Sequence, residues 1–142
     1  MLIKVEVEKA ARRIEQYIHQ TPILTSQKLN DLSGAELYFK CENFQKVGAF
    51  KPRGALNFVL QLNEQELSNG LCTHSSGNHA QAVALAAQLT NTKAFIVMPN
   101  TAPEVKVKAT QGYGAEVTFC APNLKAREET LATIQKETGA VF

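Results

Sequence analysis

The sequence has few cysteines and lacks any apolar run near the ~18 residues that a membrane-spanning helix needs. Cys41, Cys72 and Cys120 lie far apart without a Cys-x-x-Cys pair, which argues against a disulfide framework or a zinc site. Each of them falls in an apolar, strand-like stretch, so we expect buried free thiols. We predict no metal site within the chain.

An excess of charge of one sign is also missing, because 15 Lys+Arg residues face 13 Asp+Glu residues for a formal charge of +2. This balance and the lack of a basic cluster argue against a nucleic-acid or membrane partner. The N-terminus becomes charged at Lys4, too early for a signal peptide. We therefore expect a cytoplasmic protein that binds a small molecule.

The hydrophobic content of 44% and the length of 142 residues fit a globular domain of ordinary size. In the first half, apolar spacing and turn residues predict three helices, one half-buried strand and one loop. The helices span residues 5–18, 26–32 and 52 to about 62, the strand spans 36–42, and the loop spans 43–50.

The second half alternates strand-like and helical stretches at roughly 22-residue spacing. Such alternation predicts right-handed crossovers and an open parallel sheet with helices on both faces, an α/β doubly wound fold. The predicted strands are 71–74, 93–98, 115–120 and 140–142, and the helices are about 78–89, 103–111 and 124–138. The chain stops inside the fourth predicted strand, so we expect a truncated or incomplete gene product.

Lys51 lies at the start of a predicted helix, in the segment Phe50-Lys51-Pro52-Arg53-Gly54-Ala55. The positive end of the helix dipole disfavours an ammonium there, and a neutral amine is the form that attacks a carbonyl to give a Schiff base. Phe50 could stack on a flat ring, and the small residues after Arg53 leave space beside the helix. A solvent-exposed structural lysine is the alternative interpretation.

The segment Ser75-Ser76-Gly77-Asn78-His79 joins a predicted strand to a predicted helix. This turn lies at the carboxyl edge of a parallel sheet, where helix amides bind anions, so a carboxylate or phosphate would fit. The alternative is an ordinary helix cap. A Ser76–His79 hydrolase pair lacks a Gly-x-Ser-x-Gly elbow, and a His74–His79 metal site lacks a third ligand.

With these segments together, the chain resembles fold-type II pyridoxal-phosphate enzymes, which are tryptophan synthase β-like, and within them the serine/threonine dehydratase and serine racemase group. The resemblance covers nearly the whole chain, and its matching segments occur in the family's order. They are Thr21-Pro22-Ile23-Leu24, Lys40-Cys41-Glu42-Asn43-Phe44-Gln45, Gly48 to Ala55, Thr73 to Gln81, Met98 to Pro103 and Gly112-Tyr113-Gly114-Ala115.

The resemblance implies roles for six residues of the two segments. Lys51 would bind pyridoxal 5'-phosphate as a Schiff base and act as the base at the substrate Cα, Phe50 would pack on the cofactor ring, and Asn78 would bind its 3'-oxygen. Ser75, Asn78 and His79 would hold the substrate carboxylate. Ser76 would carry a proton on the opposite face, which makes racemisation chemically feasible.

The resemblance also implies features outside these two segments. A nucleotide site would use Ser26, Lys46, Gln81 and Tyr113, although Gln27 and Val47 depart from the polar residues of racemases. The glycine-rich phosphate loop, the ligands of a divalent cation and the residue facing the pyridine nitrogen would lie beyond Phe142. Residues 1–70 would begin the large domain, and 71–142 would form most of the small one.

The implied activity is a lyase reaction that converts L-threonine or L-serine to a 2-oxo acid and ammonia, within amino-acid metabolism such as isoleucine biosynthesis. A serine racemase is the first alternative. The second is a catalytically inactive fragment that acts only as a folded module. The resemblance also implies a homodimer or a higher homo-oligomer.

Overall fold

The structure is a computed structural model that describes residues 3–142. Seven α-helices and five strands occur in these residues. The helices are α1 (Lys4–Ile14), α2 (Gln27–Ser33), α3 (Lys51–Val59), α4 (Glu64–Asn69), α5 (Asn78–Leu89), α6 (Glu104–Gly112) and α7 (Leu124–Thr138). The strands are β1 (Ile23–Leu24), β2 (Phe39–Lys40), β3 (Leu71–His74), β4 (Ala94–Pro99) and β5 (Glu116–Cys120). None of the helices in this part of the chain is both long enough and apolar enough to cross a membrane.

The second half of the chain forms a parallel sheet in the order β3-β4-β5. Helices α5 and α6 cover one face, where Ile96 and Met98 pack into the main core, and α7 covers the other, where Leu131 packs near Val97. After β5 the chain runs back across the sheet to the far side of β3, where Val141 forms a parallel bridge with Leu71. Because this connection runs in the opposite direction to the earlier ones, its helix α7 lies on the opposite face. The predicted α/β fold with helices on both faces is confirmed.

Several boundaries differ from the sequence predictions. The predicted fourth strand is a single bridge at Val141, and the predicted strand 36–42 is only β2, which pairs antiparallel with β1. The sequence prediction did not include β1 or α4. The first helix ends at Ile14 and continues as one 3-10 turn. Of the three cysteines, all free, only Cys72 is buried, and its burial raises the pKa of the thiol to about 11.

Helix α5 is the centre of the main core. Its residues from Ala80 to Ala87 are all buried, and five of these eight are alanine. A helix that is apolar on all sides is typical of a fully enclosed position. The small side chains let α3 pack closely against α5, with Ala55, Leu56 and Val59 buried at their contact. This contact joins the first half of the chain to the sheet.

An ion pair connects the segment after β2 to the start of α3. Arg53 donates from Nε to Glu42 Oε2 and from Nη2 to Glu42 Oε1, both at 2.8 Å. Thr21, which is buried, donates its hydroxyl to Glu42 Oε1 at 2.6 Å. The Arg53 hydrogen bonds are the main reason that the pKa of Glu42 falls from 4.5 to about 2. The interaction fixes the first turn of α3, two residues after Lys51.

Gln45 is a second fixed point before α3. Its buried side chain donates to the carbonyl of His19 at 2.8 Å and accepts from the amides of His19 and Lys46 at 2.9 and 3.0 Å. Both ends of its side-chain amide therefore have partners. The turn that follows is strained, because Val47 has φ +56° and a β-branched side chain rarely adopts positive φ. The backbone leading to Lys51 is held by tertiary contacts.

Replacing Gly70 with alanine should destabilise the fold. Gly70 has φ +90°, and a Cβ there would lie 3.1 Å from both the Lys93 carbonyl oxygen and the Phe95 ring. We expect a loss of at least ~1–2 kcal/mol in the free energy of unfolding by urea titration. Gly112→Ala is the control, since a Cβ there meets open space at ordinary helical φ. Equal stability of Gly70→Ala and wild type would contradict the role of Gly70.

The Glu42–Arg53 pair should make stability depend on pH. The folded-state pKa of Glu42 is lowered, so its contribution is complete above pH 4.5 and is lost as the pH falls toward 2. The expected loss is roughly 3 kcal/mol at most. Urea titrations between pH 2 and 7 should show a flatter profile for Glu42→Gln, which is also less stable at pH 7. Glu104→Gln, which removes an exposed ion pair with Lys108, should keep the wild-type profile.

Candidate active site

The two segments singled out in the sequence lie close together. Lys51 is the first residue of α3, Asn78 is the first residue of α5, and these two helices pack against each other. The charge of Lys51 lies near enough to His79 to affect its pKa. An apolar cleft of about 270 Å³ opens beside them, and its wall includes Gly54, Ala55 and His79. The tertiary fold therefore places the lysine beside the Ser75–His79 loop.

The start of α5 has no side-chain cap. Its N-cap residue is Gly77, and the neighbouring Ser75 hydroxyl accepts the Gly77 amide at 3.3 Å instead of binding an amide of the helix. In contrast, Ser26, Asn63 and Asn123 cap α2, α4 and α7 with their side chains. The alternative of an ordinary polar cap for this loop is therefore wrong. The amides at the start of α5 are available to an anion.

The surroundings of His79 in this loop disfavour its charged form. Partial desolvation, followed by the charges of Lys51 and His74, lowers the pKa of His79 below its ordinary value of 6.5. His79 is thus mainly neutral at pH 7 and keeps one ring N–H donor. The ring of His74 stacks on Phe142 with centroids 5.9 Å apart. Within residues 3–142, no salt bridge pairs Lys51 or either histidine with a carboxylate.

The lysine side of the site is open. Lys51 and Phe50 are both exposed, and the Lys51 ammonium lies 5.2 Å from the centre of the Phe50 ring. A Cβ added at Gly54 or at Gly77 would meet no atom within 4 Å. Neither glycine is needed for packing against the described residues. Both leave open space beside the amine and beside the helix start.

Lys106 is a polar residue of this site that sequence reasoning missed. Its ammonium donates to the Asn78 side-chain oxygen at 3.3 Å. The signal was present in the sequence, since Lys106 lies in the first turn of a predicted helix that Pro103 opens, and Lys51 lies beside Pro52 at the start of another. The sequence could not reveal that α5 and α6 begin side by side.

The structure shows the local surroundings of each residue of the predicted nucleotide site. Ser26 caps its own helix, while Gln81 is buried in α5 and its amide nitrogen has no hydrogen-bond partner among the described residues. Lys46 lies in the turn that packs against α5. Tyr113 follows the last residue of the nine-residue α6, about 13 Å along that helix from its start. Nucleotide binding by these four residues stays a prediction.

The described residues give little support to a metal site or to a Ser76–His79 hydrolase pair. They contain no group of three or more His, Cys, Asp or Glu side chains that could hold a metal ion. In the same residues, the side chains of Ser76 and His79 have no hydrogen bond to each other or to a carboxylate. A nucleophile and its base are normally joined by such a bond, although it is often loose without substrate. The arrangement that the structure does contain is an amine beside a helix start without a side-chain cap.

Comparison with known proteins finds relatives with several activities. The chain is 54% identical over 123 residues to a serine racemase of Dictyostelium discoideum, covering 87% of this chain and 38% of that protein. It is 50% identical over 133 residues to a beta-hydroxyaspartate dehydratase of Paracoccus denitrificans, covering 94% of this chain and 42% of that protein. A solved structure of a threonine deaminase from T.th. matches with a TM-score of 0.88 and 44% identity, over 99% of this chain and 44% of that one.

These relatives share one family, although the chain spans only about 40% of the length of the curated relatives it matches. The family model described as "Pyridoxal-phosphate dependent enzyme" matches residues 14–142, which include Lys51, the Ser75–His79 loop and Lys106. The chain therefore belongs to the family of pyridoxal-phosphate dependent enzymes.

Proposed function

We propose that the protein is a pyridoxal-phosphate dependent ammonia-lyase that converts L-threonine or L-serine to a 2-oxo acid and ammonia. The observation that carries this proposal is the position of the Lys51 amine beside the uncapped start of α5. An amine that can form a Schiff base and a site for a carboxylate are the two requirements of an amino-acid enzyme of this family.

The residues present fit pyridoxal phosphate. Lys51 would attach it covalently, Phe50 would pack against its ring, and Asn78 would donate a hydrogen bond to its ring oxygen. The space beside Gly54 and Gly77 leaves room for a flat group. When bound, the cofactor supplies an electron sink for the negative charge that develops at the substrate Cα.

The loop would orient the substrate. The Ser75 hydroxyl, the Asn78 and His79 side chains and the amides at the start of α5 would bind the carboxylate, and the neutral His79 ring would donate its N–H. Lys51 would remove the Cα proton, which prepares loss of the β-hydroxyl. Because this hydroxyl must leave, the substrate class is a small β-hydroxy amino acid.

Other parts of the proposal depend on family resemblance alone. The phosphate-binding loop, the group facing the pyridine nitrogen and any divalent-cation ligands are not assigned to residues of this chain. The division into residues 1–70 and 71–142 stays a prediction, and the main core crosses that boundary through the contact of α3 with α5. Homo-oligomerisation, a cytoplasmic location and a role in isoleucine biosynthesis are likewise predictions.

A serine racemase is the second candidate, and Ser76 is the observation that favours it. Racemisation needs a proton donor on the face of Cα opposite the base, and the Ser76 hydroxyl lies in the same loop as the proposed carboxylate site. Identities to a racemase and to a dehydratase are similar, at 54% and 50%, so they do not separate the two activities.

A third candidate is a folded module without catalysis. It is the second alternative that the sequence analysis left open. It predicts that the 142-residue polypeptide does not bind the cofactor stably. A stoichiometric complex with pyridoxal phosphate would contradict this candidate.

Borohydride reduction should locate the cofactor on Lys51. The protein is incubated with pyridoxal 5'-phosphate, reduced and mapped by peptide mass spectrometry. We expect one adduct on Lys51 and no visible Schiff-base absorbance in Lys51→Ala, because the attacking amine is gone. Lys108→Ala, which removes an exposed lysine of α6, should behave as wild type. Unchanged absorbance in Lys51→Ala would disprove the assignment of this lysine.

Ser76→Ala should separate the lyase from the racemase. If Ser76 carries the second proton, its loss should lower D-serine formation from L-serine by about 100-fold or more, while 2-oxo acid formation changes much less. Chiral chromatography and a coupled 2-oxo acid assay measure the two products on one sample. No D-serine from wild type would eliminate the racemase, and equal losses of both products would contradict a separate role for Ser76.

A further inference from the structure

Among the described residues, Lys106 makes one side-chain hydrogen bond, and its partner is Asn78 of the proposed cofactor site. Its Nζ donates to Asn78 Oδ1 at 3.3 Å, and its side chain is partly buried at the contact of α5 with α6. Within residues 3–142 it forms no ion pair with a carboxylate. The nearby Glu104 is instead paired with Lys108 at 2.6 Å. A partly buried ammonium thus has a neutral amide oxygen as its partner.

The position of Lys106 is unfavourable for the stability of α6. It is the third residue of the helix, where the helix dipole disfavours a positive charge. Lys108 lies two residues further along, is exposed and has a carboxylate partner. The formation of α6 and the charge of its surface therefore do not require a lysine at position 106. The hydrogen bond to Asn78 is an interaction that a lysine at this position does provide.

The contact determines which end of the Asn78 amide is free. An ammonium has three donors and no acceptor, so only the amide oxygen can face it. The Asn78 nitrogen must then point away from Lys106, and it can only donate a hydrogen bond. Its partner must be an acceptor, and a negatively charged oxygen is the strongest one.

We propose that Lys106 is a positioning residue that fixes the Asn78 amide as a hydrogen-bond donor to the anionic ring oxygen of the bound cofactor. This inference rests on the proposed function, because it takes pyridoxal phosphate as the ligand of Asn78. Lys106 acts through Asn78, the side chain to which its ammonium donates. Without it, the amide is free to rotate and to present its oxygen, which repels an anionic acceptor.

The backbone of Lys106 is well anchored for this task. Its amide donates to the Pro103 carbonyl at 2.9 Å, and its own carbonyl accepts the hydroxyl of Thr110 at 2.9 Å. Thr110 is completely buried, and Val107 packs in the main core. The ammonium therefore extends from a fixed helical turn, which limits the range of its positions.

Lys106→Met tests the proposal because it keeps the length of the side chain and removes the donor. We expect the dissociation constant of pyridoxal phosphate, measured by absorbance titration, to rise about tenfold. The visible absorbance maximum should also shift, since the ring oxygen loses its oriented donor. Lys108→Met is the matched control and should leave both values unchanged. Lys106→Arg, which keeps a donor, should restore part of the affinity.

A double-mutant cycle with Asn78→Ala separates positioning from general charge or structure. If Lys106 acts through Asn78, Lys106→Met should change the affinity less than about twofold in the Asn78→Ala background. An undiminished tenfold effect in that background would overturn the proposal. So would wild-type affinity and absorbance in Lys106→Met.

A measurement without cofactor distinguishes failure of this inference from failure of the proposed function. The side-chain amide resonances of Asn78 in a 15N–1H NMR spectrum should move in Lys106→Met and stay in place in Lys108→Met. Resonances that do not move would overturn the Lys106 contact. Failure of the wild-type protein to form a borohydride-trapped adduct on Lys51, with the Asn78 resonances still sensitive to Lys106, would instead overturn the cofactor assignment.

Discussion

The packing of α3 against α5 is the contact on which the rest of the candidate site depends. It is close because α5 is built largely of alanine, with Ala80, Ala84 and Ala86 completely buried. Small side chains bring two helix axes near each other, and the starts of these helices carry Lys51 and Asn78. Bulkier residues on α5 would move α3 outward and separate the amine from the loop. A feature of the core thus sets the distances in the site.

Several features of the candidate site lower the stability of the fold. Lysines begin or nearly begin α3 and α6, α5 has no side-chain cap, and Val47 adopts a strained positive φ just before the lysine segment. Stability comes from neighbouring contacts, namely the Glu42–Arg53 pair, the hydrogen-bonded Gln45 and the buried face of α5. Functional sites typically combine several locally unfavourable conformations or charges with stabilising contacts in the surrounding structure.

The electrostatics of the site follow from the topology of the parallel sheet. Helices α5 and α6 each follow a parallel strand, so both begin at its carboxyl edge. Their positive ends therefore reinforce each other, and the ammonium groups of Lys51 and Lys106 add to the field. A bound anion lowers the energy of this arrangement. Desolvation, followed by the charges of Lys51 and His74, lowers the pKa of His79 and keeps its ring a neutral donor.

The sequence by itself determined the alternating second half and the chemical groups of the site, because periodicity is a local pattern and Lys51 and the Ser75–His79 loop are recognisable from residue type and order. Short elements were missed or overextended, since β1, β2 and the bridge that replaces the fourth strand exist only through pairing with a distant segment. Only the tertiary structure decided that Gly77 occupies the cap position of α5 and that Lys106 pairs with Asn78, 28 residues away. The physical reason is that the hydrogen bond between Lys106 and Asn78 depends on how the starts of α5 and α6 lie relative to each other. The packing of the two helices sets this relative position.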